Sequence, residues 1–557
     1  MANVPVRVIV ENLSPEGEGS ILSPTWVGFH DGGFDTYDGG RPASPGVQRL
    51  AEDGNPAALV REFGLGGFGT VDGVVGDGPI LPGQAASQSF VLDNESPDSH
   101  FFNYASMIVP SNDAWIGNGD EKEYRVFNNR GQFQPISFVV TGDAVLDAGT
   151  EVNDERPKTT VGLAQTEPNT GEFEIGVVLP HPGYRGSVGN PEGRQGILRG
   201  DFGDFTADNY QVARISIVEE KTGNNRNNLL NGTKRTDSFN GGGGNDNING
   251  RGGSDFIAGG TGNDNLQGSV GKDTLDGDGG NDMVDGGAGM DLLMGCAGMD
   301  LLMGGLTRNN RQTFKRTFKL EEAQEVPPVA NTRATGTVTA TLDGMELTIE
   351  GNFEKLTSAP AAAHIHFGAE GFNGGVVQGL TLEGNRRSGT LSGSLTLTPE
   401  QLAAVLADNY YINLHTENNP GGELRGQIDL NLKDAVPGGD KLMGESGVDV
   451  LIGSVGDDIL DGGVGDDTLT GLDGRDTFVI AEAGGSDLIL DYQDGRDKIG
   501  LADGLRFRDL IIEQGTSDDA ASIESVNHAL IKSGDNILGV VAFTSAEDLN
   551  SRDFMTV

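Results

Sequence analysis

Cysteine is almost missing from this sequence. Cys296 is the single cysteine among 557 residues, so no disulfide can form within the chain and a cystine-stapled fold is excluded. There is also no run of about 18 apolar residues, so no membrane-spanning helix is expected. The first residues, Met1 to Arg7, lack the basic and apolar regions of a cleavable signal peptide. If the protein is exported, we expect its signal to lie elsewhere in the chain.

Basic residues are scarce as well. The chain has 38 Lys and Arg against 83 Asp and Glu, which gives a formal net charge of -45. Nucleic acid is therefore not an expected partner, because phosphate binding needs a basic surface. Anionic lipid would be repelled for the same reason. So large an excess of carboxylates either repels itself or is neutralised by cations.

Glycine is abundant, at 89 residues, and clusters in two arrays that repeat every nine residues. An aspartate recurs at each ninth position, and an apolar residue follows two positions later. Eight registers without a slip exclude chance for the first array. The aspartates of the first array are Asp237, Asp246, Asp255, Asp264, Asp273, Asp282, Asp291 and Asp300, and those of the second are Asp440, Asp449, Asp458, Asp467 and Asp476.

The unit at 259–267, Gly-Gly-Thr-Gly-Asn-Asp-Asn-Leu-Gln, shows the physical logic of the repeat. Six residues form a tight turn, in which glycine supplies backbone conformations with positive φ. Three residues then form a short strand whose central apolar side chain, Leu266, points inward. Consecutive units alternate sides, so 18 residues make one coil of a parallel solenoid. Stacked turns collect carboxylates, and Ca²⁺ would convert their repulsion into oxygen cages.

These units resemble the RTX (hemolysin-type) calcium-binding repeat, which forms a parallel β-roll. The resemblance implies several Ca²⁺ ions as cofactors. Some turns depart from the pattern: Arg251 and Cys296 replace the second glycine, and Met290 and Met299 stand where Asn or Asp is usual. We expect those turns to bind calcium more weakly. The implied ligands are Asp246, Asp255, Asp264, Asp273, Asp282, Asp291, Asp300, Asp440, Asp449, Asp458, Asp467 and Asp476.

Residues 1–220 contain short apolar runs separated by Gly, Pro, Asn and Asp, which predicts an all-β domain. The stretches Trp26-Val-Gly-Phe-His-Asp-Gly-Gly-Phe-Asp, Ser106-Met-Ile-Val-Pro-Ser-Asn-Asp and Asp147-Ala-Gly-Thr-Glu together resemble the spondin N-terminal (F-spondin) domain. That resemblance implies an extracellular β-sandwich with a calcium site at one end. The matching ligands here are Asp113, Asp147 and Glu151, although solvated loop acids would have the same pattern.

Between the arrays, residues 312–432 show alternating strands and one short helix near 399–408, again a β-sandwich pattern. Four stretches are similar to the CHRD domain, first named in chordin. They are Glu325-Val-Pro-Pro-Val, Ala363-His-Ile-His-Phe-Gly, Tyr410-Tyr-Ile-Asn-Leu-His-Thr and Asn419-Pro-Gly-Gly-Glu-Leu-Arg-Gly-Gln-Ile. The family implies a fold and an extracellular location rather than a reaction.

Three of the seven histidines lie in these motifs: His364, His366 and His415. His364 and His366 are two residues apart, so on a strand they share a face. Three imidazoles could hold Zn²⁺ or Cu²⁺. The alternative is a hydrogen-bonded structural cluster, and on sequence alone we expect no metal-dependent enzyme activity.

After Phe478 the repeat decays into a segment that resembles the cap of RTX arrays in type I secretion substrates. A solenoid needs such a cap because an open end exposes strand edges and core. The ending Asp553-Phe-Met-Thr-Val fits the C-terminal signal of that route. Type I export machinery is therefore an expected partner.

The expected fold is all-β, with two β-sandwich domains separated and followed by calcium-binding parallel β-roll segments. The expected domains are 1–220 (spondin-like), 224–306 (β-roll), 312–432 (CHRD-like), 435–480 (second β-roll) and 481–557 (cap and secretion signal). The expected function is that of a secreted adhesion, matrix or surface-layer protein that binds cell-surface or matrix protein or polysaccharide. A calcium scaffold without a receptor and a secreted metalloenzyme that uses the histidines are the alternatives.

Overall fold

A computed structural model describes most of the chain and divides it into two compact units, Met1–Lys221 and Thr222–Val557. Nearly all regular structure is β, as predicted. None of the helices in the described part of the chain has the length and apolar character needed to cross a membrane. The described residues are 3–15, 19–109, 111, 113–150, 176–181, 209–305, 313–330, 332–385, 387–430, 438–515 and 528–557.

The first unit contains two antiparallel sheets. In one sheet, Asn3–Asn12 pairs with Ala85–Asp93 on one side and with Gln211–Asn225 on the other. Ile136–Thr141 also pairs with Gln211–Asn225. Apolar residues from both sheets share one core. The second sheet contains Ile21–Leu22, Thr25–His30, Val71–Val75, Phe101–Val109, Ala114–Gly117, Tyr124–Arg125, Leu146–Asp147 and Leu179–Pro180.

Two helices that the sequence analysis did not predict, Pro45–Asp53 and Ala57–Gly66, accompany this second sheet. The Ser44 hydroxyl accepts a hydrogen bond from the N–H of Val47, and Gly54 ends the first helix with a left-handed φ of 66°. These are favoured caps at the two helix ends. The helices bury apolar side chains against Trp26 and Trp115 of the sheet.

In the second unit, the repeats form the predicted parallel β-roll. Residues 18 positions apart pair in parallel, for example Ile248 with Leu266 on one side and Ile257 with Leu275 on the other. Each central apolar side chain lies inside the roll and is almost fully buried. One sheet contains Ser238–Gly243, Phe256–Thr261, Thr274–Gly279, Leu292–Gly298, Lys441–Gly447, Ile459–Asp461, Thr477–Ile480, Lys498–Leu501 and Phe554–Thr556. The other contains Leu229–Asn231, Asn247–Asn249, Asn265–Val270, Met283–Ala288, Leu301–Met303, Val450–Ile452, Thr468–Thr470, Asp487–Ile489 and Asn536–Ala542.

The two arrays, which the sequence analysis treats as separate segments, form one uninterrupted roll. Leu292–Gly298 of the first array pairs in parallel with Lys441–Gly447 of the second, and Leu301–Met303 pairs with Val450–Ile452. The residues between the arrays are therefore an insertion that leaves the roll and returns to it without disturbing its register.

The far end of the roll is closed by antiparallel strands. His528–Ser533 pairs with Asn536–Ala542, and Ile511–Gln514 pairs with His528–Ser533. An antiparallel hairpin stops the stacking of further parallel coils, so this segment covers an edge that would otherwise be open.

The insertion forms one curved, eight-stranded antiparallel sheet around a single core. A bridge between Glu321 and Arg425 joins its first and last edges. Its helix, Pro399–Leu406, begins at a capping box of Thr398 and Gln401, and confirms the predicted helix. The strands are Thr313–Leu320, Thr335–Asp343, Glu346–Glu354, Pro360–Phe367, Val376–Asn385, Ser388–Thr396, Tyr410–Thr416 and Leu424–Gln427.

The insertion packs against the outer face of the roll. Leu301, Met303, Val450 and Ile452 flank the inward-pointing positions of their strands and belong to the same buried cluster as the core of the insertion. Asn and Gln occupy the corresponding outward positions of Asn247–Asn249 and Asn265–Val270 in the same sheet. The four apolar residues therefore mark a part of the roll on which the insertion rests.

Candidate metal sites

The aspartates of the repeats form two continuous columns along the roll. In each column, the backbone N–H of one aspartate donates to Oδ1 of the aspartate in the next coil, as in the 2.7 Å bond from Asp264 to Asp282. The twelve aspartates predicted as calcium ligands in the repeats all belong to these columns, and every one of them is buried. One column contains Asp237, Asp255, Asp273, Asp291, Asp440, Asp458 and Asp476, and the other contains Asp246, Asp264, Asp282, Asp300, Asp449 and Asp467.

The second carboxylate oxygen points into a small space beside the first glycine of its own unit. A methyl group added at Gly259 would lie 2.5 Å from Oδ2 of Asp264 and 2.9 Å from the carbonyl oxygen of Gly277. The same arrangement recurs at Gly268, with Asp273 and Gly286. Several of these Oδ2 atoms are buried and accept no hydrogen bond from any described residue, among them those of Asp264, Asp273, Asp282 and Asp291.

A buried carboxylate oxygen beside a carbonyl oxygen is a poor arrangement without a cation. Both groups are acceptors, and burying an unpaired polar group is costly. Ca²⁺ binds carboxylate and carbonyl oxygens at about 2.3–2.6 Å. The donor set therefore fits calcium, and these oxygens would hold it.

Burial changes the acidity of the columns. It is the main cause that raises the pKa of Asp273 to about 7, that of Asp476 to about 8 and that of Asp291 to about 9. Neighbouring carboxylates add to the shift at Asp291, chiefly Asp273 and Asp440. In the metal-free fold, a large fraction of these carboxyl groups therefore stays protonated and neutral near pH 7.

Both columns continue beyond the residues predicted as ligands. The N–H of Asp467 donates to Oδ1 of Asp487 at 3.2 Å, and that of Asp476 donates to Oδ1 of Asp497 at 3.1 Å. The spacings, 20 and 21 residues, break the 18-residue rhythm, which is why the periodicity did not reveal them. A local signal was present, since each aspartate follows a glycine by two and precedes an isoleucine by two.

The unusual turns keep the geometry of the repeat. Arg251 and Cys296 have φ values of 75° and 70°, so each adopts the left-handed conformation of the glycine it replaces. That conformation costs roughly 1–2 kcal/mol for a residue with a side chain. The prediction that these turns bind calcium more weakly stays a prediction, but the structure adds a source of strain.

In the first unit, Asp113 and Asp147 lie close together, and His181 joins them. One ligand atom from each of the three lies within 4.8 Å of the others. The N–H of Thr150 donates to Asp113, and the N–H of Gly149 donates to Asp147. Burial lowers the pKa of His181 to about 4, although Asp147 opposes the shift. No sequence motif singles out His181, and the third predicted ligand, Glu151, lies outside the described residues.

In the insertion, His364, His366 and His415 also come together, with one ligand nitrogen of each within 4.8 Å of the others. His364 and His366 lie on Pro360–Phe367, and His415 lies on the neighbouring strand Tyr410–Thr416. Burial is the main cause that lowers the pKa of His366 to about 4. Burial also lowers the pKa of His415. The imidazoles of His366 and His415 therefore favour the neutral form at physiological pH.

Comparison with known families agrees with the CHRD and RTX-repeat resemblances. Residues 316–428 match the CHRD domain. Residues 222–257, 258–293 and 438–478 match the RTX calcium-binding nonapeptide repeat. The chain thus carries RTX repeats, which bind calcium, and a CHRD domain. The spondin resemblance of the first unit stays a prediction.

Other comparisons add little. No curated protein sequence matches the chain. Among solved structures, the extracellular lipase LipA from Serratia marcescens matches at 15% identity over 58% of this chain and 40% of the lipase, with a TM-score of 0.16. The chain therefore spans less than half of that lipase, and a likeness this distant carries no argument about activity.

Proposed function

We propose that this protein is a secreted calcium-binding adhesion or matrix protein whose β-roll folds around Ca²⁺ after export. The observation that carries the proposal is the pair of aspartate columns, whose buried Oδ2 atoms face glycine carbonyls. RTX repeats are typical of secreted proteins, and the match to these repeats supports the extracellular location.

Calcium provides the link between export and folding. Before export, where free Ca²⁺ is scarce, repulsion within the columns keeps the arrays expanded and suited to a type I export channel. Outside the cell, sites with dissociation constants of about 10⁻⁴–10⁻³ M fill. A ligand that binds only the folded state stabilises it by about 2.7 kcal/mol at 100 times its dissociation constant. A few filled sites thus suffice to fold a short roll.

The adhesive role rests on the two domains that accompany the roll. The CHRD domain shares a buried apolar core with the roll. The first unit resembles the spondin N-terminal domain, and Asp113 and Asp147, with Glu151, are its proposed calcium ligands. Both families occur outside cells, which favours binding to cell-surface or matrix protein or polysaccharide over a catalytic role.

A binding assay tests this role. Full-length protein in millimolar Ca²⁺ should bind cells or matrix polysaccharide, and a chain that lacks residues 1–220 should lose that binding while keeping its calcium-induced fold. Equal binding by both chains would contradict an adhesive role for the first unit. No binding by either chain would favour a calcium scaffold without a receptor.

Export can be measured separately. In a host with a type I export system, the full chain should appear in the medium, and a chain that lacks residues 481–557 should stay inside the cell. Export of the truncated chain would contradict the proposed signal, but it would not contradict calcium binding by the columns.

A further inference from the structure

We propose that His364, His366 and His415 form a binding site for one copper or zinc ion in the CHRD domain, separate from the calcium columns. The proposal does not depend on the adhesive function. It rests on where the three rings lie, on the partners of their nitrogens, and on the groups that hold the rings in place.

Strand register brings the three rings to one face of the sheet. Ala363 and Ile365 point into the core, so His364 and His366 point away from it. His415 pairs with Ala362 on the neighbouring strand, which places it diagonally opposite His364. The ring centroids are 5.0 Å apart for His364 and His415, and 5.6 Å apart for His364 and His366.

Hydrogen bonds fix which nitrogens are available. Nδ1 of His366 lies 3.1 Å from the carbonyl oxygen of Gly374, and Nδ1 of His415 lies 3.0 Å from that of Pro420. A carbonyl oxygen only accepts, so each Nδ1 must carry the proton. In a neutral ring, Nε2 is then left with a free lone pair. Metal-binding histidines in proteins are commonly oriented in this way.

Three further ring nitrogens of this cluster have no hydrogen-bond partner in the described structure. Nε2 of His366, Nε2 of His415 and Nδ1 of His364 are all buried, and none has a hydrogen-bond partner among the described residues. His366 itself is only 7% exposed. Three buried ring nitrogens without a hydrogen-bond partner, two of them with a free lone pair, are unfavourable for a purely structural cluster, because a structural cluster would be expected to satisfy them.

A stack of side chains holds His366 in position. The ring of Tyr411 stacks on His366, with centroids 4.9 Å apart and an angle of 10° between the planes. The guanidinium carbon of Arg425 lies 3.5 Å from the centroid of the Tyr411 ring. Arg425 is almost fully buried, and its Nη2 donates to the carbonyl oxygen of Ala369. The stack restricts rotation of His366 and so preorganises the site.

The donor set selects the metal. Imidazole nitrogen suits copper and zinc, whereas Ca²⁺ prefers oxygen. Tetrahedral zinc with bonds of about 2.0–2.1 Å places its ligand nitrogens roughly 3.4 Å apart. In the structure, the ligand nitrogens of the three histidines lie within 4.8 Å of one another, so small side-chain rotations would bring them to that distance. His364 and His415 are partly exposed, so an ion can enter from solvent and keep one position for water or another ligand.

The test uses the full chain folded in saturating Ca²⁺, so that the columns are filled. After titration with Zn²⁺ or Cu²⁺ and removal of free metal, elemental analysis should find one ion per chain. The Cu²⁺ form should show nitrogen hyperfine coupling from imidazole in its electron paramagnetic resonance spectrum. His366→Gln and His415→Gln should each weaken binding at least tenfold and change that coupling.

Two controls separate this site from other histidines. His181→Gln removes the histidine of the Asp113 and Asp147 cluster, and His100→Gln removes another histidine of the first unit. His100→Gln should bind the ion as the unmodified chain does, and His181→Gln should leave the imidazole hyperfine coupling of the Cu²⁺ form in place. If His366→Gln fails to fold by circular dichroism, the partly exposed His415 provides the informative variant. The proposal is overturned if the folded chain binds no copper or zinc at micromolar concentration, if His415→Gln binds normally, or if His181→Gln abolishes binding.

Discussion

Asp291 and Asp440 lie 149 residues apart in the sequence, yet the N–H of Asp291 donates to Oδ1 of Asp440 at 2.8 Å. Elsewhere the same bond joins aspartates 18 residues apart, as from Asp264 to Asp282. The difference between these separations, 131 residues, is the length of the insertion. The insertion therefore divides a single nonapeptide unit: Gly304 and Gly305 supply its first two residues, and Gly438 to Asp440 supply its end.

This relationship predicts that the roll can form without the CHRD domain. Deleting 306–436 joins Gly305 to Pro437 and restores the unit Gly-Gly-Pro-Gly-Gly-Asp. We expect the shortened chain to gain β structure with Ca²⁺ by circular dichroism. It should also bind an apolar dye, because Leu301, Met303, Val450 and Ile452 lose their cover.

A companion variant of the shortened chain distinguishes uncovering from misfolding. Replacing those four residues by Asn or Thr should abolish the dye binding while keeping the response to calcium. A shortened chain that shows no calcium-induced folding, with or without these replacements, would contradict a continuous roll.

Removing one aspartate from each column should raise the calcium concentration needed for folding. Asp264→Ala with Asp273→Ala removes two oxygens that face glycine carbonyls, so we expect a calcium midpoint several times higher in a fluorescence or circular dichroism titration. Asp494→Ala, which removes an exposed carboxylate outside the columns, is the matched control and should leave the midpoint unchanged. An unchanged midpoint in the double variant would exclude these aspartates as ligands.

Without calcium, the roll should be more stable in mild acid than at alkaline pH. Burial raises the pKa of Asp291 from 3.8 to about 9 in the fold, so the folded state holds protons that the unfolded chain releases. Stability from such groups is present below about pH 4 and is lost as the pH rises toward 9. Calcium competes with these protons, so its affinity should rise with pH over the same range.

The measurement is circular dichroism in calcium-free buffer at pH 8 and at pH 5.5. Asp291→Asn provides a neutral side chain of the same shape. It should stabilise the calcium-free roll at pH 8 and weaken calcium binding. Equal β content at both pH values, together with no effect of Asp291→Asn, would show that these carboxylates bear no charge penalty in the fold.

Restoring glycine at a strained turn should stabilise the roll. Arg251 has a φ of 75°, which glycine adopts at little cost. Arg251→Gly should raise the free energy of unfolding in calcium by about 1 kcal/mol, measured by denaturant titration. Met290→Gly is the control, because Met290 lies in a turn but has no positive φ, and this variant should not stabilise the roll. A loss of stability in Arg251→Gly would mean that the side chain contributes more than its backbone strain costs.

Local periodicity accounts for what could be predicted of the fold. The spacing of aspartate and apolar residue, as at Asp264 and Leu266, follows directly from one turn and one short strand, and the structure confirms it. The sequence also contains the signal for a continuous roll, because Gly304 begins a nonapeptide unit that Asp440 completes. It was missed because a nine-residue period detects neighbours in sequence and not partners across a long insertion.

The metal sites were predictable only in part. His364 and His366 share a face because of strand alternation, but the approach of His415 depends on its pairing with Ala362, which no local pattern specifies. His181 joins Asp113 and Asp147 through tertiary packing alone. The helix Pro45–Asp53, by contrast, had a readable start at Ser44 and stop at Gly54 that the overall β pattern obscured.

The most direct test is a titration of the full chain with Ca²⁺ and, in parallel, with Mg²⁺, followed by far-ultraviolet circular dichroism. The account predicts a cooperative gain of β structure near millimolar Ca²⁺, reversal by a chelator, and little response to Mg²⁺, which demands a smaller octahedral site. Full β content in the chelator-treated protein at neutral pH would contradict it, because the roll would then hold its shape with no cation between its aspartates.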